Sequence, residues 1–225
     1  KYHIKSYSLQ HGYYLNYTTW IPLDIINYEN LNAQYLLCWG TSTRNNMLEY
    51  GIASERLLIV GNPRLGNFEN FNLQNPKFKN GIVVLGRDVH HKSNLELLEI
   101  LRQISLRTGI NFVLKLHPSL YLKKLASQYE LGFEMIPREF TLNQVIEEGK
   151  FDFAISNNTT AYFDFIMKGI LCLRFTGNET EPLGHHAYTF NSVFDFESLQ
   201  TFCLNRTESE LSNDLIQTID NNFFR

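Results

Sequence analysis

The chain has 225 residues, 44% hydrophobic and 19% charged, with a net charge of −3. That is ordinary globular usage with enough apolar residues for a sizeable core, which excludes a disulfide scaffold or a metal-stapled miniprotein. The slight acidity excludes a generally basic nucleic-acid wrapper, and 17 Phe with 12 Tyr exclude a disordered chain.

The residues from Lys1 to Gly12 carry no apolar h-region, so they do not read as a signal peptide. They read as the middle of a fold, with a strand over Ile4–Leu9, and suggest a chain that begins after something has been removed. No apolar run approaches the roughly 20 residues that span a bilayer. Cys38, Cys172 and Cys203 are scattered and odd in number, which fits buried free thiols in a reducing compartment. The expected location is therefore cytoplasmic, extending at most to the inner face of the membrane. The sequons at Asn16, Asn158, Asn178 and Asn205 read as chance matches in an Asn-rich chain.

The first block runs from residue 1 to 64. Gln34–Trp39 is a second strand, ending at Gly40. Thr41–Tyr50 is a helix with Thr41 or Ser42 as N-cap and Gly51 just past its end. Arg56–Val60 is a third strand, closed by Gly61-Asn62-Pro63-Arg64. Residues 65–80 are rich in Asn, Pro and Lys without periodicity and read as a linker.

The second block, residues 81–205, is more regular. Strands are expected over Gly81–Leu85, Asn111–Leu116, Phe133–Ile136, Phe151–Ile155 and Ile170–Phe175. Helices alternate with them over Asn94–Arg107, Ser119–Tyr129, Thr141–Glu148 and Ala161–Lys168. Leu97, Leu98, Leu101 and Ile104 mark one helix face. Thr141 and Gln144 are spaced as a capping box. The tail is helical at Phe196–Asn205 and Glu208–Asn222, and residues 206–225 are set apart as a C-terminal helix. Alternating strands and helices define an α/β chain with parallel sheets, here two Rossmann-like domains of which the first is short or truncated.

In open α/β sheets ligands bind at the carboxyl ends of strands. Five polar segments fall at those ends: His11-Gly12, Gly61 to Arg64, Gly86-Arg87, His117-Pro118 and Ser156 to Thr160. Ser156, Asn157, Asn158, Thr159 and Thr160 open a helix and suit an anion, although Asn and Thr are also plain N-caps. His117, held by Pro118, reaches toward a phosphate or a base edge, against the alternative of a structural histidine. Arg87 after Gly86 offers a bidentate fork for a diphosphate, against that of a surface loop arginine. His11, with an unperturbed pKa of about 6.5, suits a general base, against that of a turn histidine before Gly12. Arg64 adds charge to the same cleft.

Other chemistry fails on spacing. His90-His91 and His185-His186 are adjacent pairs, unlike the i, i+4 pair of a helical metal site, so no metal is expected. No Gly-x-Gly-x-x-Gly, Walker loop or Gly-x-Ser-x-Gly elbow is present. Phe-Asp-Phe occurs at 151–153, 163–165 and 194–196, with the Phe residues read mainly as core.

The run from Phe153 to Phe165 resembles the strand–Ser/Thr–helix motif of bacterial CDP-glycerol glycerophosphotransferases, the teichoic acid polymerases. Leu114 to Pro118 resembles that family's His-Pro element, shared with bacterial capsule and sialyl glycosyltransferases. Gly86-Arg87-Asp88, Gln10-His11-Gly12 and Gly61 to Arg64 are similar to three further elements, in the same order. The resemblance covers residues 10–165 and implies a GT-B architecture with a nucleotide-activated donor held by the second domain. It implies that His117, Thr159 and Thr160 contact the donor, that Arg87 assists and that His11 is the base. Asn157 stands where the family has Asp, and Thr159-Thr160 where it has Ser-Ser, so the donor need not be CDP-glycerol.

The expected function is a GT-B glycosyltransferase moving a sugar from a CMP-, CDP- or UDP-linked donor to a bacterial surface polysaccharide or lipid-linked acceptor. Alternatives are a CDP-glycerol or CDP-ribitol polyol phosphotransferase, a non-catalytic nucleotide-binding module of a larger synthase, and a UDP-sugar epimerase. No cofactor and no nucleic-acid partner are expected; peripheral membrane association and a homo-oligomer stay open.

Overall fold

The computed structural model describes residues 4–10, 31–63, 73, 75–122, 126–129, 132–177 and 188–223. His11, Gly12, Arg64 and the pair His185-His186 lie outside the described residues.

Two parallel sheets organise the chain. The first has three strands, β1 (Tyr7–Leu9), β2 (Tyr35–Cys38) and β3 (Leu57–Ile59), in the order β1-β2-β3. Helix α1 (Thr41–Glu49) follows β2. Its N-cap is Gly40, with no side-chain cap bond, in place of the expected Thr41 or Ser42. Its Thr43 hydroxyl is used otherwise: it accepts from the Gln10 side-chain amide at 3.0 Å, while Gln10 Oε1 accepts from the Trp39 N–H at 2.7 Å. Gln10 thus pins the carboxyl end of β1 to the β2–α1 turn. Leu36, Cys38, Met47, Ile52 and Leu57 form a small core beneath.

The second sheet has six parallel strands: β4 (Asn80–Val84), β5 (Asn111–Lys115), β6 (Glu134–Met135), β7 (Phe153–Asn157), β8 (Cys172–Phe175) and β9 (Thr189–Phe190). Their order is β6-β5-β4-β7-β8-β9. The chain winds outward from β4 to β6, then crosses back to β7 and winds the other way. The reversal lies between β4 and β7, which pair from Gly81↔Phe153 to Val84↔Ser156. The helices are α2 (His91–Thr108), α3 (Pro118–Leu122), α4 (Leu142–Glu148), α5 (Ala161–Met167), α6 (Val193–Leu204) and α7 (Glu208–Phe223).

Local chemistry explains the boundaries. Thr141 accepts from the Gln144 amide, and Gln144 returns a bond to the Thr141 amide, so the predicted capping box starts α4. Gly149 ends α4 at φ 62°, and Gly109 ends α2 at φ 73°, left-handed positions that a Cβ disfavours. Thr141→Ala is expected to cost about 1 kcal/mol of stability, read by urea denaturation. An unchanged midpoint would mean that the cap does not hold α4.

Two residues of the segment expected as a linker lie in a core. Leu73 and Phe78 are buried in the large core, and β4 already starts at Asn80. Asp152 Oδ2 accepts from the Lys79 and Asn80 amides at 3.1 and 2.9 Å, which anchors the chain as it enters β4. The Phe-Asp-Phe triplets divide: Phe153, Phe163, Phe165 and Phe196 are buried, whereas Phe194 is exposed. The segment set apart as a C-terminal helix is also part of this core, because α7 contributes Leu211, Leu215 and Ile219. The same helix packs against α1. Ser192 caps α6 by accepting from the Asp195 amide, and Arg206, stacked over Phe202, pairs with Asp214 at 2.5 Å.

All three cysteines are free and buried. Cys38 belongs to the small core, Cys172 and Cys203 to the large one. Burial pushes the Cys38 thiol up to about 11 and the Cys203 thiol up to about 12, and raises Cys172 as well. No helix among the described residues is long and apolar enough to cross a membrane.

Candidate nucleotide site at the sheet reversal

The point where strand order reverses is where an open α/β sheet leaves a crevice. Here it is bordered by the carboxyl ends of β4, β5, β7 and β8. Gly86 and Arg87 follow β4, His117 follows β5, and Asn158 to Thr160 follow β7.

Gly86 sits under the tightest constraint. A Cβ there would lie 2.6 Å from the Asn157 carbonyl oxygen and 3.2 Å from the His90 ring. The strand ends can approach this closely only because residue 86 has no side chain. Asn94, fully buried on α2, then locks them. Its Oδ1 accepts from the Gly86 N–H at 2.9 Å and from the Asn157 side-chain amide at 2.8 Å. Its own amide donates to the Gly86 carbonyl at 3.1 Å, and the Ser93 hydroxyl donates to Asn157 Oδ1 at 3.2 Å.

This network changes the reading of two expected ligands. Ser156 and Asn157 are strand residues of β7, both fully buried, not the start of a loop. The Asn157 side chain spends both its donor and its acceptor capacity on α2. A carboxylate there would face the Asn94 carbonyl oxygen with no proton to offer, so the network needs the amide. Ser156 is packed beside the Cys172 thiol.

Asn158 adopts φ 48°, a left-handed conformation that Asn tolerates better than most residues. Its Oδ1 accepts from Arg174 Nη2 at 3.4 Å. Arg174 is 1% exposed, a guanidinium brought to the crevice floor by β8. Thr159 Oγ1 accepts from the Ala161 amide at 3.3 Å. Thr160 stands at the N-cap position of α5 in helical conformation, with no side-chain cap bond, and is exposed. Plain N-capping therefore does not account for Thr160.

His117 is half-buried, and its orientation is fixed. The Ser119 N–H donates to His117 Nδ1 at 3.1 Å, with the Ser119 hydroxyl 3.0 Å from the same nitrogen. That hydroxyl also accepts from the Asp88 N–H at 3.1 Å, tying the β5 end to the β4 loop. Burial, then the Arg87 guanidinium, lower the His117 pKa, while Asp88 opposes them. His90 is 5% exposed, and burial followed by the charges of Arg87 and Arg174 lowers its pKa to about 4. Arg87, Arg174 and His117 all act on His90, and Asp88 is the opposing carboxylate. The crevice is thus a focused positive region on a chain whose net charge is −3.

The sequence reading missed four of these residues. His90 was weighed only as half of a metal pair, and Ser119 only as a helix opener. Asn94 and Arg174 carry no local signal, because their importance comes from burial. The catalytic candidate His11 and the cleft candidate Arg64 lie outside the described residues.

The pKa of His90 has a stability consequence. The unfolded chain binds a proton near pH 6.5 and the folded chain only near pH 4. Stability therefore falls as pH drops from about 6.5 to 4, by up to about 3 kcal/mol from this residue. Between pH 7 and pH 4.5, urea midpoints of His90→Gln should fall less than those of the wild type. Parallel losses in both proteins would remove His90 as a source of acid sensitivity.

No protein-family model matches the chain, and no curated protein does. Solved structures do match it, and their fold is GT-B. TarM of S. aureus superposes with a TM-score of 0.56 at 14% identity, over 97% of this chain and 46% of TarM. The UDP-GlcNAc 2-epimerase of Methanocaldococcus jannaschii, solved with UDP-GlcNAc and UDP, gives 0.54 at 13% identity, over 78% of this chain and 56% of the epimerase. The lipopolysaccharide outer core galactosyltransferase WaaB gives 0.50 at 14% identity, over 85% and 60%. At these identities the likeness is one of fold. The chain spans about half the length of the structures it matches.

Proposed function

We propose that the chain carries the donor side of a GT-B glycosyltransferase, which moves a sugar from a nucleotide-activated donor to a surface polysaccharide or lipid-linked acceptor. The observation that carries this reading is the convergence of Arg87, His117 and the Asn158–Thr160 turn on the sheet reversal, over buried Arg174. A diphosphate is the ligand class that such a cationic, amide-rich crevice suits. The TarM and WaaB likenesses support the transferase reading through their fold.

In this mechanism the acceptor hydroxyl attacks the anomeric carbon of the donor, and His11 takes its proton. The bond to the nucleotide phosphate breaks, and the leaving phosphate keeps the electron pair. Arg87, the His117 N–H and the hydroxyls of Thr159 and Thr160 stabilise that charge. The proposal requires no cofactor and no metal; the nucleotide donor is substrate.

The epimerase reading stays in view because the same fold serves a UDP-GlcNAc 2-epimerase. Product analysis separates the two: free nucleotide and glycosylated acceptor in one case, an epimerised nucleotide sugar in the other. A polyol phosphotransferase would instead release CMP from CDP-glycerol or CDP-ribitol. Asn157 does not choose between these donors, since its side chain is committed to Asn94 and Ser93.

The first test is a thermal-shift screen against CMP, CDP, UDP, GDP and their sugar or polyol conjugates. A ligand that binds only the folded state stabilises it by about 2.7 kcal/mol at 100 times its dissociation constant. One nucleotide should shift the melting temperature, and Arg87→Ala or His117→Ala should weaken it about 10- to 100-fold. No shift with any nucleotide would sink the donor-site reading.

A further inference from the structure

The His117 ring is oriented from a neighbour two residues on, and that geometry fixes where its proton sits. A backbone N–H can only donate. With the Ser119 N–H directed at Nδ1 from 3.1 Å, Nδ1 must be the unprotonated, accepting nitrogen. A neutral imidazole then carries its proton on Nε2. The Ser119 hydroxyl, 3.0 Å from Nδ1, also receives the Asp88 N–H, which leaves its own hydrogen for the ring. One serine therefore holds both the histidine ring and the loop that carries Arg87.

We propose that Ser119 is a positioning residue, which sets His117 as a permanent Nε2–H donor and clamps it to the Arg87–Asp88 loop. This rests on the donor-site reading for its ligand: an ionised phosphodiester or diphosphate oxygen, which accepts from a neutral N–H rather than pairing with an imidazolium. The charged and titratable groups around His117 fit that role. Arg87 and His90 face it as further cationic or neutral donors, and Asp88 is the acidic group in reach. Protonating Nδ1 would turn a donor against the Ser119 N–H, so the site works with the ring uncharged. Ligand affinity should accordingly stay level above pH 6.5, where a site built on an imidazolium would lose about tenfold for each pH unit.

The test uses the full chain, uniformly labelled with nitrogen-15. Long-range proton–nitrogen spectra at pH 7, assigned with His117→Gln, read the tautomer directly. The expected result is a pyridine-like Nδ1 and a protonated Nε2 on His117; an Nδ1–H tautomer or an imidazolium overturns the proposal. Ser119→Ala keeps the backbone N–H at Nδ1 and removes the hydroxyl that meets the ring and the Asp88 N–H, so it should leave the tautomer unchanged but raise the midpoint of the His117 titration and broaden its ring signals, and Ser119→Thr should restore both. An unchanged titration in Ser119→Ala also overturns it. Affinity for UDP-N-acetylglucosamine or CDP-glycerol, whose phosphates do not titrate between pH 6.5 and 8.5, is then followed across that range for whichever binds. A level profile supports the proposal, and a steep fall overturns it. If neither probe binds while the tautomer and the Ser119 variants behave as expected, the donor-site reading fails and the clamp stands.

Discussion

Gly86→Ala is expected to remove nucleotide binding and to destabilise the fold by about 2 kcal/mol, the usual cost of forcing one methyl into a filled space. The methyl would lie 2.6 Å from the Asn157 carbonyl oxygen, which is backbone and has no rotamer to escape into. Relief requires β4 and β7 to part at the reversal, and the Asn94 bonds to Gly86 and Asn157 stretch with them. Arg87 and the Asn158–Thr160 turn then lose their spacing. Denaturant titration and calorimetric titration with the nucleotide found in the screen check the two effects separately. Wild-type values in both would mean that the sheet yields more easily than its bonding indicates.

Phe153→Ala should have the largest effect on stability. Phe153 is fully buried at the start of β7 and meets Phe78 at 4.6 Å, Phe112 at 6.2 Å and Phe196 at 6.3 Å between ring centroids. It packs over Gly81 on β4, where a Cβ would stand 2.8 Å from its ring. The substitution removes the hub of a four-ring cluster and leaves a cavity that strands cannot close. The expected cost is about 3–5 kcal/mol, close to 10 °C in melting temperature for a chain of this size. A loss under 1 kcal/mol would show that the cluster relaxes around the gap.

These two sites also show what was legible beforehand. Phe153, Ile155 and their neighbours read directly as a buried strand, because an apolar run bounded by polar residues has few other outcomes. The Thr141–Gln144 box was readable because its spacing is its mechanism. Helix α2 was readable by period and longer than expected at its start, since His91 to Ser93 carry no apolar signal. The two residues of β9 had no periodicity to show.

The strand-end positions of the candidates Arg87, His117 and Thr160 were legible. Local structure was misread where polar residues are buried. Ser156 and Asn157 suggested a loop by polarity, yet β7 runs through both, because Asn94 and Ser93 satisfy Asn157 from α2. Arg174 sits in the apolar strand Ile170–Phe175, and nothing in its local sequence sets it apart. Only the pairing of β7 with β8 and the left-handed Asn158 place it on the crevice floor. Burial of this kind depends on partners 16 to 64 residues away, beyond the reach of a local pattern.

The enclosure of every thiol gives the molecule a chemical clock. Only a deprotonated, accessible sulfur attacks an electrophilic labelling reagent. In the native fold Cys38, Cys172 and Cys203 are buried, with Cys38 raised to about 11 and Cys203 to about 12. Labelling must wait for an opening that bares the sulfur. Cys38 belongs to the small core of the three-stranded sheet, and Cys172 and Cys203 to the large core of the six-stranded one. Single-cysteine versions would therefore time the opening of each sheet separately, with no foreign probe attached beforehand. Because α7 packs against α1 while lending Leu211, Leu215 and Ile219 to the larger core, the three clocks should keep related time.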